Sequence, residues 1–238
     1  ITIQEDLGDT SLIDLDTSLK EHHSLIDKSL HLLSQLQTAN IPQIPKLDDQ
    51  TLDNQMNGLS TIFLKDFLSL TPHADIPKLQ KETIENLLDQ PWMNCHFDFE
   101  RRNIILDTNK EVAIIDYQDL CTAPVGIDLA GLLIDHYVKY SDEMISNSLD
   151  NYSHYMNLGL SSEDIFEWVR WGAIQRNMRI LGTLSSIYIE HNRSFRLKDL
   201  SMILDNLIDL IPDNNYESLK QFLSIKVRSQ LSKKMTQI

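Results

Sequence analysis

The chain is 238 residues long, with 42% hydrophobic and 24% charged residues, the balance of an ordinary globular protein. Its formal net charge of −14 argues against a nucleic-acid partner, because phosphate-backbone binding relies on clustered Lys and Arg, and no apolar run approaches the ~18 residues needed to span a bilayer. The two cysteines, Cys95 and Cys121, make neither a disulfide framework nor a zinc site, which fits a reducing, cytoplasmic compartment.

In chain order, Ile1-Thr2-Ile3-Gln4-Glu5-Asp6 has no basic n-region and no apolar h-region, so no signal peptide is expected. A chain that begins within a strand-like pattern reads as a piece of a longer one. Thr2 to Leu7 alternates and runs into Gly8-Asp9, a strand end followed by a turn. Leu19, Ile26, Leu30, Leu33 and Leu36 form a helical stripe over Ser18–Gln37. Pro42 and Pro45 mark a loop. Further helices are expected over Leu52–Leu70 and Pro77–Gln90.

The pattern then changes. Trp92–Cys95 suits a short strand, and Asn103–Leu106 and Val112–Ile115 are two more around the turn Asp107-Thr108-Asn109-Lys110, together a hairpin. After Pro124 helices are expected over Val125–Lys139, Ser141–Leu158, Ser162–Glu190, Leu197–Leu210 and Asn215–Lys233. The sum is α+β but mostly α, with one small hairpin in its middle.

The chemistry is carried by His96-Phe97-Asp98-Phe99-Glu100-Arg101-Arg102-Asn103 and by Ile114-Ile115-Asp116-Tyr117-Gln118-Asp119. A loop with an Asp and, five positions later, an Asn can present a base and a metal ligand together. A second Asp at the end of the hairpin's far strand can bring a carboxylate to the same cation. Phosphoryl transfer asks little more of this half of a site: a group for the hydroxyl proton and oxygen ligands for magnesium.

H-x-D-x-x-x-x-N followed by apolar-apolar-D resembles the catalytic loop and metal-binding Asp of the protein-kinase-like fold. Phe97 stands where protein kinases have the Arg of H-R-D, and Gln118 where they have the Gly of D-F-G. Those departures resemble the aminoglycoside phosphotransferase and choline kinase branch, and the fold implied is a kinase-like C-terminal lobe. Carried over, the resemblance makes Asp98 the catalytic base, Asn103 and Asp116 the Mg2+ ligands, and His96 a brace of the loop. Glu5-Asp6-Leu7-Gly8-Asp9 resembles the hinge between lobes, where backbone groups of Glu5 and Leu7 would bond the adenine of ATP. The implied division is residues 1–9 as the end of the N-lobe and hinge, and 10–238 as the C-lobe.

Asp116-Tyr117-Gln118-Asp119, Pro124, Asp128-Leu129-Ala130 and Gln175-Arg176-Asn177-Met178-Arg179-Ile180-Leu181-Gly182 are similar to bacterial cell-wall sugar kinases acting on the anomeric hydroxyl of N-acetylmuramate and N-acetylglucosamine. The resemblance therefore implies an ATP-dependent amino-sugar kinase with a role in peptidoglycan recycling. An aminoglycoside, choline or another amino alcohol is the alternative acceptor. A non-catalytic binding module is the alternative of another class. Only 12 positions separate Asp116 from Asp128, too few for the activation segment that holds a peptide, so a small acceptor is expected.

A complete kinase site also needs a Gly-rich loop and a strand Lys. The sequence has no G-x-G-x-x-G and only 7 Gly. The missing N-lobe of the same chain is thus an expected partner, the chain alone is expected to be close to inactive, and apolar surface is expected where that lobe would pack.

Each candidate also has a plainer reading. Asp98, Asn103 and Asp116 can cap turns around a hairpin, and His96 can be a packed loop histidine. Asp128 sits where a helix begins, which suits capping or loop bracing better than direct chemistry. Gln118 and Asp119 either touch the acceptor or cap the following turn. Arg176, with Gln175 and Arg179, lies on a long helix, where polar packing is the default and a substrate-facing role the sharper alternative. Cys95 and Cys121 read as small buried hydrophobes, and Trp92, Trp168 and Trp171 as core.

Overall fold

The structure is a computed structural model that describes residues 8, 10–15, 19–107, 109 and 111–238, with side chains of the first helix described from residue 22 onward. Its elements in chain order are α1 (Leu19–Thr38), α2 (Asp49–Gly58), which continues as π-helical turns over Leu59–Phe67, and α3 (Ile76–Leu88). Four short strands follow, β1 (Trp92–Cys95), β2 (Ile104–Leu106), β3 (Val112–Ile114) and β4 (Cys121–Pro124). The chain then returns to helix in α4 (Gly126–Leu133), α5 (Asp142–Tyr155), α6 (Ser162–His191), α7 (Leu200–Leu210), α8 (Asp213–Gln221) and α9 (Arg228–Met235), the last two joined by π-helical turns over Phe222–Val227. Among the described residues no helix is long and apolar enough to cross a membrane.

Two compact units divide the chain: Ile1–Lys46 with Pro91–Val169, and Leu47–Gln90 with Arg170–Ile238. The hinge expected over 1–9 lies outside the described residues, Glu5 and Leu7 included. Only Gly8 of that segment is described, at a positive φ of 86° that glycine adopts without steric cost.

The first unit is built on the stripe of α1. Ile26, Leu30 and Leu33 are buried, and each fully buried aliphatic side chain contributes about 2–3 kcal/mol. Opposite them, α5 supplies Leu149 and Tyr152, whose hydroxyl donates to Gln37 Oε1. Tyr155 and Asn151 on the same helix both donate to Asp27 (2.8 Å each). The C-terminus of α1 has carbonyls without helical partners, and Asn94 of β1 donates to two nearby, those of Leu36 (2.9 Å) and Ala39 (2.7 Å).

Both sheets of this unit are two-stranded and antiparallel. In one, β2 pairs with β3 so that Ile104 faces Ile114. Residues 10–12 line its other edge, with Leu12 N donating to Ile104 O and Leu106 N to Thr10 O. In the other, β1 pairs with β4, Cys95 facing Cys121. Strand β4 was not expected from sequence; its four residues, Cys-Thr-Ala-Pro, are too short to show alternation.

The helix expected over Val125–Lys139 stops at Leu133, where Ile134 leaves the helical region (φ −107°, ψ 63°). Asp135 explains the stop. Its Oδ1 accepts the amide of Tyr137, two residues on (2.9 Å), a local bond that competes with the helical one. The expected helix over Asn215–Lys233 likewise becomes α8 and α9 with a kink at Tyr216 (φ −135°), whose hydroxyl donates to Glu82 Oε2.

The second unit buries Leu52 and Met56 of α2, Phe63, Leu64 and Phe67 of the π-helical turns, Leu79 and Leu87 of α3, and Ile203, Leu204 and Leu207 of α7. Asp48 caps α2 by accepting Thr51 N (2.6 Å). Where α2 meets α6 the backbones touch: a Cβ on Gly182 would lie 2.7 Å from both Cα and C of Gly58. Gly182→Ala gains about 1 kcal/mol of helix propensity but forces two backbones apart, and overpacking of that kind costs about 1–3 kcal/mol or more. The expected outcome is a net loss of stability, read as a lower urea midpoint at unchanged m-value; an unchanged or higher midpoint would show that the helices separate freely.

Candidate active site

The loop between β1 and β2 is held from beneath by one carboxylate. Asp128, in the first turn of α4, is fully buried, and its oxygens accept the backbone amides of His96 (2.6 Å) and Phe97 (2.8 Å). Burying a carboxylate is costly unless it is paired and hydrogen-bonded, and these amides supply much of the compensation. Burial pushes the Asp128 carboxyl above its ordinary range, while the Cys95 thiol, nearby His96 and the two amides pull it back.

The grip accounts for a strained neighbour. Phe97 sits in the left-handed region at φ 74°, where a bulky residue costs about 1–2 kcal/mol. With the Phe97 amide fixed by Asp128, the chain turns there, and Asp98 emerges with 25% of its side chain exposed while Phe97, Phe99 and Glu100 stay buried.

His96 is itself fully buried, and its Nε2 donates to the carbonyl of Ile115 (2.9 Å). That bond requires a proton on Nε2, and the ring packs edge-on against Phe99. Asn103, also buried, donates from Nδ2 to the carbonyl of Asp98 (2.9 Å), and its own carbonyl accepts the amide of Ile115 (3.0 Å). With Nδ2 committed to Asp98, Oδ1 is the atom left to meet a cation. Ile115 is therefore bound twice from the loop, and Asp116 is the next residue.

Asp116 is exposed and left-handed (φ 69°, ψ 43°) at the start of a 3-10 turn over Tyr117–Asp119. Gln118 and Asp119 are exposed on that turn. The structure thus joins Asp98, Asn103 and Asp116 through main-chain bonds and His96. Among the described residues no group of three or more His, Cys, Asp or Glu gathers as a metal site. A carboxylate and an oriented amide oxygen are nevertheless the hard donors that magnesium takes alongside phosphates and water.

Cys95 and Cys121 are free, buried thiols. Burial pushes the Cys95 thiol well up, which keeps it protonated and unreactive. Arg176 lies in the second unit on α6, buried there, and its neighbour Gln175 donates to Gln55 (2.8 Å). Of the tryptophans, Trp171 is buried, and Trp92 and Trp168 are half-buried.

Sequence reasoning passed over three charged residues of the loop. Arg101 is buried, donating from Nη2 to the carbonyl of Leu12 (2.6 Å) and lying 3.8 Å from buried Asp135. Glu100 is buried and paired with Arg102. The available signal was a Glu-Arg-Arg run set between Phe99 and Ile104, both of which are buried.

Residues 3–162 match the model of the phosphotransferase enzyme family. An N-acetylmuramate/N-acetylglucosamine kinase of Neisseria meningitidis serogroup B is 23% identical over 91% of this chain and 73% of its own length. Among solved structures, the choline kinase LicA from Streptococcus pneumoniae superimposes with a TM-score of 0.55 at 14% identity, over 79% of this chain and 65% of that one. An aminoglycoside-3'-phosphotransferase of type VIII gives 0.52 at 17% identity, over 74% of this chain and 66% of that one. The chain therefore spans a little under two thirds of these solved relatives.

If the Asp128 grip organises the loop, Asp128→Ala leaves two buried amides without an acceptor, at about 1–3 kcal/mol each. We expect a loss of about 2–5 kcal/mol in urea unfolding. Asp116→Asn should stay within about 0.5 kcal/mol, because Asn also tolerates the left-handed conformation. A neutral Asp128→Ala would remove the grip from the account.

Proposed function

Because the chain belongs to the phosphotransferase enzyme family, we propose that it carries the acceptor-side catalytic half of an ATP-dependent small-molecule kinase. The observation that carries this reading is the bonded set described above. One loop carboxylate (Asp98), one oriented amide (Asn103) and one exposed carboxylate (Asp116) are tied together by Asn103 Nδ2, Ile115 N and His96 Nε2.

In the proposed reaction Asp98 orients the acceptor hydroxyl and receives its proton as the oxygen attacks the γ-phosphorus of ATP. Asn103 and Asp116 would hold magnesium, which when bound neutralises charge on the phosphates. His96 and Asp128 keep the loop in place and touch neither substrate. Exposed Gln118 and Asp119 stand beside Asp116 for contact with the acceptor, and backbone groups of Glu5 and Leu7 are assigned to the adenine. The proposed compartment is the cytoplasm, where ATP is plentiful and thiols stay reduced.

For the acceptor we propose an amino sugar of the N-acetylmuramate and N-acetylglucosamine type, supported by the match to the Neisseria enzyme along 91% of the chain. The likeness to a choline kinase and an aminoglycoside phosphotransferase makes those acceptors the comparison set.

The test is ADP release by the complete gene product with magnesium and ATP, supplied with N-acetylmuramate, N-acetylglucosamine, choline or an aminoglycoside. Turnover with an amino sugar is expected, and Asp98→Asn should lower kcat by roughly 10²–10⁴-fold. Turnover with choline or the aminoglycoside alone would keep the chemistry and replace the acceptor. A folded, ATP-binding protein that turns over none of them would favour the non-catalytic module.

A further inference from the structure

The catalytic loop holds two adjacent arginines in different environments. Arg101 is buried and faces inward, spending its guanidinium on the Leu12 carbonyl and on Asp135. The Arg102 side chain is 42% exposed, yet it is not a loose surface residue. Its Nε pairs with Glu100, whose carboxylate side chain is only 3% exposed. Its outer nitrogen Nη2 lies 4.0 Å from Oδ2 of Asp98.

A buried carboxylate costs several kcal/mol unless it is paired, so Glu100 has a reason to hold Arg102. The direction in which it holds it is the informative part. A guanidinium offers donors along two edges. With Nε beside the Glu100 carboxylate, Nη2 is the guanidinium nitrogen that lies within ion-pair reach of the proposed base. If the pair served only to neutralise Glu100, that nitrogen could equally face bulk water. From this geometry we infer that Arg102 is a positioning residue for phosphoryl transfer: locked by Glu100, it fixes the Asp98 carboxylate and keeps a positive charge beside the point where the acceptor oxygen attacks. The inference rests on the reading of Asp98 as the base.

Two physical consequences follow. A cation at ion-pair distance selects the Asp98 rotamer that faces it, so the carboxylate meets the acceptor hydroxyl without first reorganising. And because Glu100 is shielded from water, the guanidinium keeps its place when acceptor and nucleotide come and go. The contribution therefore belongs to the reacting state more than to binding, and it should appear in kcat and not in KM.

The experiment compares wild type, Arg102→Ala, Arg102→Lys, Glu100→Gln and the Glu100→Gln/Arg102→Ala double variant. All are made in the complete gene product and assayed with the acceptor that the wild type turns over. For Arg102→Ala we expect kcat to fall about 10- to 100-fold, with both KM values within about threefold. The urea midpoint should also fall, because buried Glu100 loses its partner; the double variant, which removes that charge, should regain the midpoint but not kcat. Added guanidinium ion should restore part of the kcat lost in Arg102→Ala. Lys keeps the charge without the fork, so it should fall between wild type and Ala. Glu100→Gln should lower kcat less, and the double variant should be no worse than Arg102→Ala alone, the mark of residues acting as one unit. A kcat within about twofold of wild type for Arg102→Ala, a rise confined to KM, or a kcat that recovers together with the urea midpoint in the double variant would each overturn the inference while leaving the kinase reading intact. A wild type without turnover on any acceptor would instead overturn the kinase reading, and this inference with it.

Discussion

The two hydrogen bonds from the Asp128 carboxylate to successive amides of the loop are the constraint on which the rest of the candidate site depends. All eight residues of α4 are buried, so the helix has no wet face on which a carboxylate could be solvated. Asp128 is tolerable there because His96 and Phe97 bring their N–H groups to it and the Cys95 thiol adds a third bond, and the same grip holds the amide of left-handed Phe97. Each half supports the other, as strained backbone at functional sites requires of its surroundings. What emerges from it is Asp98, half-buried in a packed loop and within ion-pair reach of Arg102.

The hairpin does for Asp116 what α4 does for Asp98. Strand register is an all-or-none property, since a slip of one residue would turn every side chain to the opposite face. The pairing of Ile104 with Ile114 brings Asn103 level with Ile115, and the Ile115 amide then bonds to the Asn103 carbonyl. His96 adds a second bond to Ile115 from the other end of the loop. Asp116 follows immediately and turns left-handed, so its carboxylate leaves the strand direction at the end of a segment fixed twice. Asn103 is the hinge of this arrangement: its main chain serves the hairpin, its Nδ2 serves the Asp98 carbonyl, and one oxygen remains.

Much of this was legible in the sequence, for physical reasons that can be named. Buried Ile26, Leu30 and Leu33 recur at helical spacing, and that periodicity located α1 to within a residue or so at each end. The hairpin was legible because Asp107 to Lys110 separates two β-branched runs. Interactions at long sequence separation were not legible. Strand β4 exists because β1 and Lys46 pair with it, and nothing within Cys-Thr-Ala-Pro announces either partner. The early end of α4 depends on Asp135 choosing a local bond to Tyr137 over helical continuation, a choice its proximity to Arg101 reinforces. The Glu100 and Arg102 pair was missed because a charged run in a loop ordinarily faces solvent, and only the structure reveals that Glu100 does not.

That last point reconciles the overall charge with the proposed chemistry. A net charge of −14 makes the molecule a poor ligand for a phosphate polymer, whose binding scales with the number of cations spread along a surface. It has no bearing on a single phosphoryl group, because exposed charges farther away than about 8–10 Å are largely screened at physiological salt. What counts there is the charge within a few ångströms, and the loop keeps one half-exposed cation, Arg102, beside the buried carboxylate of Glu100, while Arg101 is spent inward on the Leu12 carbonyl and Asp135. An anchored cation loses little further conformational entropy when a ligand arrives, whereas a free surface lysine must be ordered at that moment. An acidic protein can thus hold a fixed cation beside the carboxylate proposed as its base, and the cost is a buried carboxylate, Glu100.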